Sequence, residues 1–154
     1  MDLAAAVTAY EESTWTFLDA ANQLTDTVLD RHAEGGWSAR QIVHHMADSE
    51  AQSYARLRRL LAEPEGSIIQ GYDEAAWASC AALGYSELPI EHSLAVVAAV
   101  RAASADLLRR LSAADLERFG LHSDAGHYSV ATWITIYTAH PRDHAAQMAE
   151  AIRP

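Results

Sequence analysis

An all-α four-helix bundle with one long crossover connection is the fold predicted by this sequence of 154 residues, on three observations. Apolar side chains recur at spacings of three and four along four separate stretches, as amphipathic helices require. Joints rich in glycine and proline separate those stretches. Residues are 50% hydrophobic, and a chain of this size buries roughly 70% of its unfolded surface, so no disulfide or metal is needed for it to fold. No internal repeat or second composition regime interrupts the pattern, and a single domain over residues 1–154 is expected.

The first helix is expected from Leu3 to Leu29, with Leu3, Val7, Tyr10, Thr14, Phe17, Leu18 and Ala21 on one stripe, stopped by the paired glycines of "RHAEGGW". The second starts at Ser38, an N-cap with Gln41 at capping-box spacing, and continues to about Ala62 before Pro64. Trp37, just outside it, reads as a packing anchor. The connection "GSIIQGYDEAAWASCAALGYSELP" exceeds an ordinary bundle joint, has the length of a binding or lid segment, and holds a short helix from Asp73 to Cys80. A third helix is expected from Ile90 to Leu111, with Leu94, Val97, Val100, Ala103, Leu107 and Leu111 in line, and a fourth from Val130 to Ile152. Each stripe supplies one side of a bundle core.

The formal net charge of -10, from 21 acidic and 11 basic residues, argues against a nucleic-acid partner. Arg56, Arg58 and Arg59 form the only dense basic cluster and read as a solvated helix face. Cys80 is the only cysteine, with nothing near it in sequence to activate it, and a reducing compartment follows. The start lacks the positive charge of a signal peptide, and no apolar run approaches the roughly 20 residues of a membrane span. A cytoplasmic location without membrane contact is the expectation. There is no glycine-rich phosphate loop and no GxSxG elbow.

Histidine carries the functional signal. At about 100° per residue Trp133, Tyr137, His140, His144, Gln147 and Ala151 share one arc of the fourth helix, so two imidazoles aim at one point. Buried rings with ordinary hydrogen-bond partners are the competing reading, but a pair in register suits a metal. A third ligand must then come from elsewhere, and the doublet His44–His45 is the natural supplier. Helix phase leaves open which of the two it is. His32, His92, His122 and His127 read as exposed, and Asp48 and Glu50 as acids that could orient a ligand. "HPRDH" lacks the glutamate of the zincin helix, and no Glu-x-x-His supports a di-iron bundle. Three imidazoles suit zinc, nickel or iron. Pro141, between the paired histidines, cannot donate to the carbonyl of Tyr137 and is expected to kink the helix without ending it.

From Gly36 to Met148 the chain resembles the DinB/YfiT-like metalloproteins, bacterial four-helix bundles, in "GGWSARQIVHHMADSEAQSYARLRRLL", "IIQGYDEAAW" and "WITIYTAHPRDHAAQM". The resemblance implies a divalent metal, with zinc first and nickel or iron as alternatives, held by the second histidine of the doublet, His45, with His140 and His144. It also implies Tyr72, Asp73 and Trp77 as residues lining the site, Gln147 as part of the terminal motif, and a homodimer, for which the alanine-rich third helix offers a close-packing face. The activity implied is metal-dependent: transfer of a low-molecular-weight thiol to an electrophilic small-molecule substrate, or hydrolysis. A non-catalytic metal-binding or stress-response protein is the rival class. No side chain in the sequence is an assured general base, which places thiol transfer ahead of hydrolysis.

Overall fold

Asp2 opens the first helix by accepting the amides of Ala4 and Ala5, and α1 then spans Leu3–Asn22 in the computed structural model, which describes residues 1–153. It ends before the expected Leu29. Thr25 and Thr27 flank Asp26 there, and these residues favour turns over helix interiors; the amides of Val28 and Leu29 both fold back onto the carbonyl of Thr25. Helix α2, Ala39–Ala62, starts with the expected capping box: Gln41 N donates to Ser38 Oγ at 3.2 Å and Ser38 N to Gln41 Oε1 at 2.9 Å.

The crossover contains strand β1, Ile68–Ile69, then the short helix α3, Glu74–Ser79, capped by Asp73, and a 3-10 turn at Ala81–Leu83. Helix α4 covers Glu91–Leu108, three residues short of the expected Leu111, because Asp115 captures the amide and hydroxyl of Ser112, each at 2.7 Å, and turns the chain. Strands β2, Phe119–His122, and β3, Gly126–Ser129, form a hairpin leading into α5, Val130–Ala151, which Ser129 caps. The sheet order is β1-β2-β3, with β1 parallel to β2 and Ile68 opposite Leu121. This small sheet is an addition to the helical reading, and it places His122 and His127 on strands, with His122 half-buried instead of exposed. Gly120 permits it, since a Cβ there would lie 2.6 Å from Ile69 Cγ1.

The four long helices α1, α2, α4 and α5 form the bundle. Helices α1 and α2 both pack against α4 and α5, so the order around the bundle is α1, α5, α2, α4, with α1 across from α2 and α4 across from α5. Two apolar clusters fill it: one around Tyr10, Leu57, Leu108 and Trp133 beside the sheet, the other around Phe17, Ile42, Met46, Val97 and Met148. Between them lies a polar layer built on Arg101. Its guanidinium donates to Glu50 Oε1 at 2.6 Å, Thr14 Oγ1 at 2.6 Å, Ser13 Oγ at 2.9 Å, and the carbonyls of Tyr10 and Tyr137 at 3.0 Å.

That last contact bears on Pro141. Helix α5 is unbroken from Val130 to Ala151 with Pro141 inside it. Proline removes the amide that would serve the Tyr137 carbonyl, and Arg101 supplies a donor in its place.

Candidate metal centre

The α2–α5 seam brings His45, His140 and His144 together, with one ring nitrogen from each lying within 4.8 Å of the others. His45 has no exposed surface, and neither of its ring nitrogens has a hydrogen-bond partner among the described residues; His140 Nδ1 is likewise buried and unpaired. The Nε2 atoms of His140 and His144 stand 3.0 Å apart. Two nitrogens bound to one zinc at about 2.0–2.1 Å, at ordinary coordination angles, would be roughly 3.0–3.4 Å apart. His144 Nδ1 donates to Gln147 Oε1 at 2.7 Å, which fixes the tautomer and leaves Nε2 its lone pair.

Burial pushes His45 down to about 4, with His144 adding to the effect, and His140 down to about 2, with His144, His45 and Arg101 adding. His144 is also lowered by burial, against the opposing pull of Gln147. All three rings are therefore neutral at pH 7, the protonation state a metal requires. Converging lone pairs and unpaired buried nitrogens fit a divalent cation.

The doublet divides its roles. His44 turns toward the crossover, where Nε2 donates to the Leu88 carbonyl at 3.1 Å and Nδ1 accepts from Ser93 Oγ at 2.8 Å, so it takes no part in the cluster. Asp48 points the same way and accepts the Tyr85 hydroxyl at 2.6 Å; it anchors the crossover and orients no ligand. Asp73 is exposed, and its carboxylate caps α3 by accepting the Ala76 amide at 2.9 Å. Tyr72 and Trp77 pack against each other with tilted rings, centroids 4.7 Å apart, and the Tyr72 hydroxyl is buried without a hydrogen-bond partner among the described residues. Glu50 belongs to the Arg101 layer.

Two residues at the cluster escaped the sequence reading. Trp37 is a packing anchor, as expected, but its ring sits on His45 with centroids 4.8 Å apart. Glu74 is the more consequential. Its Oε2 lies 4.0 Å from His45 Nε2, and burial raises its carboxyl above the ordinary value while Arg56 opposes the shift. Glu74 is half-exposed, so it joins the buried nitrogens to solvent. The only sequence signal for it was its place in "YDEAAW", three residues before Trp77 on the same short helix.

A family model described as the DinB superfamily matches residues 9–148. A protein of Oceanobacillus iheyensis named "Putative metal-dependent hydrolase" is 38% identical over 133 residues, covering 86% of this chain and 73% of that one. A Bacillus cereus protein of the same name is 34% identical over 138 residues, covering 84% and 78%. Among solved structures, YfiT from Bacillus subtilis, described as "a probable metal-dependent hydrolase with an unusual four-helix bundle topology", superposes with a TM-score of 0.87 at 30% identity, over 97% of this chain and 85% of that one.

Proposed function

Because the chain belongs to the DinB superfamily and gathers three neutral imidazoles under an aromatic crossover, we propose that it is an enzyme in which His45, His140 and His144 hold a divalent metal that activates a low-molecular-weight thiol for transfer to an electrophilic small molecule. The observation behind this reading is the neutral ligand set. A divalent ion held there keeps its full charge and supplies Lewis acidity, bringing a thiol or water within reach of ionisation near neutral pH. The chain's own residues do the rest. Trp37 and the tilted pair Tyr72 and Trp77 offer apolar, polarisable surface suited to sulfur and to an organic electrophile. Gln147 holds the His144 ring, and Glu74 can take the thiol proton and pass it to solvent. The sulfur pair then forms a C–S bond as the carbon–halogen bond breaks and halide departs with its electrons; with an epoxide, the opened oxygen takes up the proton.

Glu74 also favours a second reading, hydrolysis, because it gives water a carboxylate base that the sequence did not reveal. Mass analysis of products decides between the two. Metal-loaded protein is incubated with a haloaromatic or an epoxide, with and without bacillithiol, mycothiol or glutathione. A thiol adduct that needs both metal and thiol is expected. A water adduct formed without thiol and lost in Glu74→Gln would establish hydrolysis instead, and no turnover at full metal content would make the centre a binding site.

A further inference from the structure

Arg56 does not serve the surface role its sequence neighbours take. Arg58 lies over the ring of Tyr54 and Arg59 pairs with Glu63, whereas Arg56 turns inward, where Nη1 donates to the Tyr137 hydroxyl at 2.9 Å and Nη2 to the Gln70 carbonyl at 2.9 Å. No carboxylate contacts it within 4.0 Å among the described residues, although Arg40 and Arg101 each hold one and Arg109 holds two; Glu74 is the carboxyl that feels its charge from farther off. Its Nε is buried and has no partner. The Tyr72 ring lies 5.9 Å from the guanidinium carbon, and the buried Tyr72 hydroxyl is also unpaired.

Arg56 lies on the same face of α2 as His45, since eleven residues make about three full turns. Ser49 stands one helical turn beyond His45, and the hydroxyls of Tyr72 and Tyr137 both face it. The Tyr137 ring packs edge-on to His140, with centroids 6.0 Å apart. Arg56 is eleven residues beyond His45, about 16 Å of helix rise, and its long side chain leans back over part of that distance. Three hydroxyls thus lie between the imidazole cluster and a guanidinium that no carboxylate contacts, and the Arg56 Nε and Tyr72 hydroxyl have no close hydrogen-bond partner among the described residues.

We infer that Arg56 and the Tyr72 hydroxyl form a subsite for a carboxylate, or a like anionic oxygen group, carried by a ligand whose other end reaches the three histidines. An inward guanidinium with a free buried N–H recognises such a group by charge-assisted hydrogen bonds, and the hydroxyl row suits the polar chain between the two ends. In a chain of formal net charge -10, this is also a local attraction set against a repulsive whole. The inference rests on the reading that chemistry occurs at the histidine cluster. The anion belongs either to the thiol or to the electrophile.

Calorimetry with matched probes tests it on zinc-loaded protein: 3-mercaptopropionate and 6-mercaptohexanoate against the corresponding mercapto-alcohols, and hexanoate against hexanol as the arm without thiol. One acid of fitting length should bind about tenfold more tightly than its alcohol. Arg56→Met should bring that ratio close to one, Arg56→Lys should keep part of it, and Tyr72→Phe should lower it less. An advantage confined to the mercapto-acids puts the anion on the thiol, and one shared by hexanoate puts it on the electrophile. Acid-to-alcohol ratios near one throughout the wild-type protein, or a ratio that survives in Arg56→Met, would overturn the subsite. Mercapto-alcohols that bind apo and zinc-loaded protein equally would instead defeat the reading of the histidine cluster, while the acid-to-alcohol ratios still judge Arg56.

Discussion

Two buried polar clusters sit side by side in this bundle, and they are built on opposite plans. Around Arg101 all five guanidinium N–H donors are matched, tying α4 to α1, α2 and α5, and the charge faces Glu50, which has no exposed surface; the hydroxyls of Tyr10 and Ser104 beside it are the layer's unpaired groups among the described residues. Around His45 the reverse holds, with three buried ring nitrogens unpaired on His45 and His140. Unpaired buried polar atoms are costly, so a fold that satisfies every donor of its buried cation and leaves converging imidazole nitrogens open has reserved the latter for something that binds. The first cluster holds the second in place, since Glu50 follows His45 on α2 and Arg101 grips the carbonyl of Tyr137 just ahead of His140.

The contrast breaks most visibly in metal binding. Each of His45→Ala, His140→Ala and His144→Ala should lower metal affinity by about 1000-fold or more, roughly 4 kcal/mol, while apo stability changes by less than about 1 kcal/mol. His44→Ala should keep near-stoichiometric metal, because that ring serves Leu88 and Ser93. Metal analysis after dialysis reads both. Loss in His44→Ala with retention in His45→Ala would reverse the division of the doublet.

Arg101→Met attacks the other cluster. It leaves Glu50 buried without its partner, where burial already raises its carboxyl above the ordinary value, and strips a donor from Tyr137, so a loss of about 3–5 kcal/mol is expected in urea unfolding of metal-free protein. Arg101→Met with Glu50→Leu should recover part of that, since an apolar pair needs no desolvated charge. A single-variant loss below about 1 kcal/mol would show that the layer contributes little.

How much of this the sequence disclosed depends on how local each feature is. The helices and the Ser38–Gln41 box were legible because periodicity and capping act within a few residues. So was the aim of His140 and His144, which a single helix fixes. Strands of two and four residues have no period to read, and the hairpin went unseen, although "SDAG" marks its turn and Gly126 has φ 73°. Helix phase could not separate His44 from His45, because the choice lies in what the crossover offers each ring. Glu74 and the Arg101–Glu50 pair depend on contacts between distant segments, to which composition and spacing are blind.

A gentler handle is pH. His45 and His140 have folded pKa values of about 4 and about 2, both below the ordinary 6.5. Below about pH 6.5 the unfolded chain therefore takes up protons that the folded chain refuses. Apo stability should fall as pH drops from there toward those values, by at most about 1.4 kcal/mol per pH unit for each group, and should be flat with respect to these groups above it. Urea midpoints at pH 7.5, 6.5 and 5.5 measure this. His140→Ala should flatten the profile, and an unchanged slope would mean that this ring is not held neutral by burial.

The smallest effect joins the two clusters through Pro141. With proline at that position the Tyr137 carbonyl depends on Arg101 for its hydrogen bond, and α5 nonetheless runs unbroken past His140 to His144. Pro141→Ala restores a backbone amide in reach of the same carbonyl, which can accept both donors because it has two lone pairs. Arg101→Met should then cost less in the Pro141→Ala background than in the wild type, by about 1 kcal/mol, the net worth of one hydrogen bond. Pro141→Ala alone should change metal affinity by less than about threefold, because the helix it would repair is already continuous and the ring nitrogens already converge. A double-mutant cycle by urea unfolding, run with metal removed, gives the coupling directly. Additivity within about 0.3 kcal/mol would mean that Arg101 steadies the bundle through Glu50 and α1 alone, and that the proline between the paired histidines is tolerated for another reason.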